Sequence, residues 1–62
     1  NLTEDERKIY NILSKTMLKS ISEINPYVEF GKSKTVQLLK EMNKKGVVKI
    51  EGRGRGTKYV IK

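Results

Sequence analysis

The sequence predicts a small α+β domain in which three helices precede a two-stranded β-hairpin. Apolar residues up to residue 45 recur with the spacing of helices, whereas after Gly46 they alternate with charged residues, as in half-buried strands. A glycine-rich stretch, residues 52–56, separates the two alternating segments, so we expect them to pair as a hairpin. With 62 residues, the chain has room for one domain only. We expect residues 1–62 to be that domain. Because the chain begins at Asn1 without a methionine, we expect it to be cut from a longer protein or to have a processed terminus.

The first helix has a clear start. Thr3 and Glu6 have the spacing of a capping box, in which each side chain satisfies a backbone amide that the helix leaves free. Acidic residues in the first turn complement the helix dipole, and consecutive helical positions diverge too much to bind one metal ion. The core face of this helix is expected to carry Ile9, Ile12, Leu13, Thr16 and Met17.

Either Ser20 or Ser22 could cap the second helix, and the position of Pro26 distinguishes the two alternatives. If Ser20 were the cap, the proline would lie in the helix interior, where it removes a hydrogen bond and clashes with the preceding turn. With Ser22 as the cap, Pro26 lies in the first turn, where few amides have partners. We therefore predict Ser22 as the cap, with a short extended segment over residues 18–21 before it. The core side of this helix of about two turns is expected to carry Ile24 and Val28.

The third helix, about residues 31–45, is the most strongly patterned element. Its predicted core face carries Thr35, Leu38, Leu39 and Met42. The opposite face carries Ser33, Gln37, Lys40 and Lys44. Gly46 is expected to end the helix in a left-handed conformation. In the hairpin that follows, the inward positions are predicted to be Val48, Ile50, Tyr59 and Ile61, with Val60 on the other face.

The charge distribution of the chain indicates which class of partner it binds. The net charge is +7, and it is unevenly placed: residues 1–31 carry four basic and five acidic side chains, and residues 32–62 carry ten basic and two acidic ones. A basic half in a small domain indicates a polyanionic partner, most often nucleic acid.

The absence of cysteine and histidine excludes disulfides and thiolate or imidazole metal sites. We expect neither an enzyme nor a cofactor, since only scattered carboxylates are present. We also expect an intracellular domain, cytoplasmic or nucleoid-associated, or nuclear in a eukaryote, because no signal or membrane-spanning segment is visible.

The order helix, short strand, helix, turn, helix and basic hairpin resembles the winged helix-turn-helix superfamily over nearly the whole chain. The Ser-Ile-Ser segment and the later Leu-Leu-x-x-Met-x-x-x-Gly-Val-Val spacing are similar to terminal winged domains of bacterial DNA translocases. Those domains start the third helix with a Gly-Tyr-Asn-Arg-like segment where this chain has residues 31–34, Gly-Lys-Ser-Lys, so only the superfamily is claimed. The resemblance implies that the third helix enters the DNA major groove and that the wing, residues 51–58, contacts the backbone or minor groove.

The predicted partner is therefore double-stranded DNA, bound by a module of a transcriptional regulator or of a replication or mobile-element protein. Lysine and arginine neutralise phosphates, a glutamine can pair with adenine, and a serine can contact phosphate or a base edge. The candidate contact residues are Lys32, Ser33, Lys34, Gln37, Lys40, Lys44, Arg53, Arg55 and Lys58. Lys45 is expected to extend the same cationic surface. The alternative is an interaction module that binds a protein or structured RNA; its candidate apolar anchors are Tyr10, Tyr27 and Val36.

Overall fold

Three α-helices and one antiparallel hairpin form the domain, in the order helix, helix, helix, strand, strand. The computed structural model describes all residues, 1–62. The elements are α1 (Glu4–Ile12), α2 (Ile21–Ile24), α3 (Lys32–Lys44), β1 (Val48–Glu51) and β2 (Lys58–Ile61), with 3₁₀ turns at Asn25–Tyr27 and Gly54–Gly56. None of the helices is long and apolar enough to cross a membrane. The predicted α+β architecture is confirmed, and it is compatible with a winged helix.

The capping box of α1 is present as predicted, but the helix is shorter than the apolar pattern suggested. The Glu6 amide donates to Thr3 Oγ1 (3.2 Å), and the Thr3 amide donates to Glu6 Oε1 (2.8 Å). The helix ends at Ile12, so the prediction that Thr16 and Met17 continue its core face is wrong. Met17 is 62% exposed. The Ser14 hydroxyl accepts hydrogen bonds from the amides of Thr16 and Met17, and this local turn competes with continuation of the helix.

The cap of α2 is Ser20, and the prediction of Ser22 is wrong. The Glu23 amide donates to Ser20 Oγ (3.3 Å), and the Ser20 amide donates to Glu23 Oε1 (2.8 Å), which makes a second capping box. Ser20 was rejected as the cap because Pro26 would then lie in the helix interior. In the structure α2 ends at Ile24, and Pro26 lies at the start of the separate 3₁₀ turn, where its missing amide costs no helical hydrogen bond.

The chain is extended just before α2 and again after the 3₁₀ turn that follows it. Lys19 forms a one-residue β-bridge with Tyr59. The Tyr59 amide donates to the Lys19 carbonyl (2.8 Å), and the Lys19 amide donates to the Tyr59 carbonyl (2.9 Å). The predicted extended segment is thus confirmed at Lys19, although Ile21 already belongs to the helix. Ile24 is buried as predicted. Val28 is half-buried but lies beyond both helical turns, in extended backbone.

The core forms where α1, α2 and α3 meet the inner face of the hairpin. Its buried members are Ile9, Leu13, Ile24, Leu39, Met42, Val48 and Tyr59. The predicted core face of α3 is confirmed: three of its four residues are buried, and Leu38 is half-buried against the cluster. Buried Thr35 donates its hydroxyl to Asn25 Oδ1 at 2.7 Å, which ties α3 to the residue before Pro26. This bond helps to set the position of α3 relative to α2.

The hairpin pairs in the register Val48↔Ile61 to Glu51↔Lys58. The left-handed glycine predicted after α3 is confirmed at Gly46 (φ +81°), and the tip uses Gly52 (φ +81°) and Gly54 (φ +53°). Val60 is on the outer face, as the alternation predicts, yet it is only 8% exposed. The segment that follows α1 folds over this face, and the Ile61 amide donates to the Ser14 carbonyl at 2.8 Å.

Candidate nucleic-acid interface

A groove of about 700 Å³ runs between α3 and the tip of the hairpin. Lys32, Val36 and Lys40 of α3 line one side, and Arg55 lines the side formed by the tip. The apolar side chains that line it are Ile21, Val36, Ile50 and Tyr59. No carboxylate lines the groove. The structure thus brings three of the nine predicted contact residues together in one concave surface, which we call the α3 groove.

Helix geometry explains why α3 contributes these residues. Positions four apart lie on nearly the same side of a helix, so Lys32, Val36 and Lys40 form one row along the groove. Lys44 continues this row by one more turn and is exposed, and Ser33 and Gln37 are exposed on the neighbouring row, which faces solvent. These six residues form a continuous surface opposite the buried face of α3.

The cations of the α3 groove are not neutralised by the protein. Lys32, Lys40 and Arg55 take part in none of the six ion pairs of the domain. Arg53 is also unpaired and exposed, but it lies at the tip without lining the groove. Unpaired cations facing a carboxylate-free groove create a positive potential that attracts a polyanion.

Lys34 does not join the α3 groove. Its Nζ lies 2.8 Å from Asp5 Oδ2 on α1 and 5.1 Å from the centre of the Phe30 ring. The hydrogen bond from Lys34, together with the charges of Lys34 and Lys8, lowers the pKa of the Asp5 carboxyl despite partial desolvation. Lys34 therefore faces α1, and its prediction as part of the cationic DNA-facing surface is not supported by its position. Lys44 is 3.6 Å from Glu41, and its side chain stays 74% exposed beside the groove.

Lys58 also lies away from the α3 groove. Side chains on a strand alternate between faces, so Lys58 points to the side opposite its neighbour Tyr59, which lines the groove. It is half-buried and pairs in register with Glu51. Hydrogen bonds from the Ser20 backbone and side chain lower the pKa of Glu23, and the charge of Lys58 adds to this lowering. Lys58 therefore lies near Glu51 and Glu23, although it forms an ion pair with neither.

Lys45, expected to extend the cationic surface, instead points toward α1, where its 35% exposed side chain meets a buried carboxylate. Its Nζ lies 2.6 Å from Oε1 of Glu6, a carboxylate that is only 2% exposed, and 3.0 Å from the Asn1 carbonyl. Burial by itself raises the pKa of Glu6, but the hydrogen bonds and charge of Lys45 and the Thr3 amide outweigh it, so the pKa is lowered. No sequence signal marks this pair, because its members are 39 positions apart.

The sequence did not indicate that α2 and the hairpin face contribute to the groove. Ser20, Ser22 and Thr57 line it with hydroxyl groups, next to the apolar side chains. The alternation in β1 and β2 could have indicated Ile50 and Tyr59, but only as core residues. Their position beside α3 depends on the three-dimensional packing.

Comparison with known proteins finds no matching protein family, no similar curated protein and no similar solved structure. The functional proposal therefore rests on the α3 groove and on the distribution of charge.

Proposed function

We propose that this domain is a winged helix-turn-helix module that binds duplex DNA, within a transcriptional regulator or a replication or mobile-element protein. The observation that carries the proposal is the α3 groove, where unpaired Lys32, Lys40 and Arg55 come from two different elements and face a surface without carboxylates. Such an arrangement suits a ligand that offers several negative charges along a line, as a DNA strand does.

The shape of α3 supports the same proposal. Its 13 residues present one exposed polar face, and the major groove of B-DNA, about 12 Å wide, admits a helix of this kind. In this placement Lys32, Lys40 and Lys44 contact phosphates, Ser33 contacts a phosphate or a base edge, and Gln37 pairs with the major-groove edge of an adenine. The hairpin tip carries Arg53 and Arg55 to the neighbouring backbone or minor groove.

Binding to a protein partner is the second candidate function. It is favoured by three large apolar side chains that are exposed outside the α3 groove, namely Met17, Leu18 and Tyr27. They lie on the segments flanking α2 and do not explain why unpaired cations converge on α3. We therefore place DNA binding first.

The test is a salt titration of duplex binding, measured by fluorescence anisotropy. The double variant Lys40→Ala/Arg55→Ala removes two cations of the α3 groove, and each lost phosphate contact flattens the slope of log affinity against log salt by about 0.9. We expect a slope flatter by about 2. The matched control is Lys15→Ala/Lys62→Ala, which removes two unpaired cations beside the outer face of the hairpin. The control should keep the wild-type slope.

The proposal fails if both double variants flatten the slope equally, since the attraction would then come from total charge. It also fails if the wild-type domain does not bind duplex DNA, or if it binds single strands or RNA far more tightly. Circular dichroism of each variant shows that the helices are intact.

A further inference from the structure

One apolar side chain of α3 has no place in the core. The helix has four apolar residues, of which Leu38, Leu39 and Met42 belong to or pack against the core cluster. Val36 does not pack against it, although it is half-buried. It lines the α3 groove instead, one turn after Lys32 and one turn before Lys40. Core packing therefore does not explain why this position is apolar.

The surroundings of Val36 indicate what kind of group would contact it. The groove joins apolar side chains, Ile21 and Ile50 among them, to the unpaired cations at its edges. A matching ligand is a polyanion that also exposes a small apolar group. Duplex DNA exposes one such group in its major groove, the C5-methyl group of thymine.

We propose that Val36 contacts a thymine methyl group and makes the domain selective for duplexes that carry thymine at that position. The inference rests on the proposed DNA-binding function and adds the chemical feature that is recognised. Gln37, the next residue, is exposed on the adjoining row of α3. An A·T pair offers the adenine N6 and N7 atoms and the thymine methyl group on one major-groove edge, so the two side chains can read the same pair or adjacent pairs.

The inference has a direct consequence for the choice of nucleic acid. Uracil is thymine without the C5-methyl group, so replacing thymidine by deoxyuridine removes the contact and keeps the hydrogen-bonding pattern. Burying one methyl group contributes about 0.8 kcal/mol, which corresponds to about a fourfold change in affinity.

The experiment starts with the wild-type domain and a duplex enriched by in vitro selection from a random library. Each thymidine of the duplex is replaced in turn by deoxyuridine, and the affinities are measured by fluorescence anisotropy. We expect about a fourfold loss at one or two positions and no change at the others. The same series with Val36→Ala should show equal binding of the thymidine and deoxyuridine duplexes at those positions.

Val47→Ala is the matched control, because it truncates the same side chain at a position that packs against the core outside the groove. It should keep the fourfold discrimination. The inference is overturned if the wild-type domain binds every deoxyuridine duplex as well as the parent, or if Val36→Ala keeps the discrimination. In both cases duplex binding itself persists and the proposed function stands. Failure of the wild-type domain to bind any duplex is a different result, which overturns both. The scan on the wild-type domain does not depend on the folding of any variant.

Discussion

Replacing Lys45 by methionine is expected to destabilise the domain by about 2 kcal/mol, although lysines at the ends of helices are usually dispensable. Methionine keeps most of the apolar stem and removes the ammonium group. The loss should come from Glu6, whose buried carboxylate is 2.6 Å from Lys45 Nζ and keeps only the Thr3 amide, at 2.8 Å, after the substitution.

The magnitude follows from the environment of the pair. Removing one partner of a fully buried ion pair costs about 3–5 kcal/mol, and a hydrogen bond to a charged group contributes about 1.5–3 kcal/mol. The Lys45 side chain is 35% exposed, so water can partly replace its ammonium group. The expected loss of stability is therefore closer to the value for a hydrogen bond to a charged group than to that for a fully buried ion pair. A domain of 62 residues has a free energy of unfolding of only about 3–9 kcal/mol. A loss of about 2 kcal/mol lowers the melting temperature by roughly 8–16 °C.

The assay is urea unfolding followed by circular dichroism at pH 7, with Lys44→Met as the matched control. Lys44 is the preceding residue, and its pair with Glu41 is 3.6 Å long and exposed, so its loss should change stability by less than about 0.5 kcal/mol. Equal destabilisation by the two variants would refute the reasoning, because it would show that the buried carboxylate does not depend on Lys45.

The same pair predicts a pH dependence. The pKa of Glu6 is lowered from its ordinary value of 4.5, so the ionised carboxylate stabilises the fold above about pH 4.5, and this stability is lost as the pH falls through the lowered pKa. The difference in the free energy of unfolding between wild type and Lys45→Met should therefore be largest at pH 7 and become smaller below pH 4.5. A gap that stays constant down to pH 3 would contradict an ionic origin.

Two further predictions test the core and the hairpin tip. Leu39→Ala should cost about 2–5 kcal/mol because Leu39 is fully buried, whereas Lys40→Ala should leave stability nearly unchanged; thermal melts showing equal losses would refute the assigned faces of α3. Gly52→Ala should cost more than Gly46→Ala, although both glycines have φ +81°, because only at Gly52 would the new Cβ clash with a backbone oxygen, that of Gly56. Urea titrations should give about 1 kcal/mol for Gly46→Ala and a larger loss for Gly52→Ala, and the reverse order would contradict the tip geometry.

Local and periodic features of the fold were predictable from the sequence. Residue type and local spacing indicate these features directly: the capping box at Thr3 and Glu6, the core face of α3, the left-handed Gly46 and the two strands. The α3 side of the groove was predictable in the same way, because the exposed row of a helix follows from the position of its buried row. The site prediction therefore placed Lys32 and Lys40 correctly on the solvent side of α3.

Competition between local alternatives and contacts between distant residues was decided only by the tertiary structure. Ser20 could be chosen over Ser22 only once α2 was seen to end at Ile24, before Pro26. Met17 fits the helical period of α1, yet the helix already ends at Ile12 and the Ser14 carbonyl accepts a hydrogen bond from the hairpin.

The roles of the lysines were settled in the same way. Sequence charge alone counts Lys34, Lys45 and Lys40 as equivalent cations. In the folded domain the first two meet Asp5 and Glu6 of α1, whereas Lys40 stays unpaired in the α3 groove. The physical reason is that an ion pair depends on distances of a few ångströms between residues far apart in sequence, and neither composition nor periodicity specifies those distances.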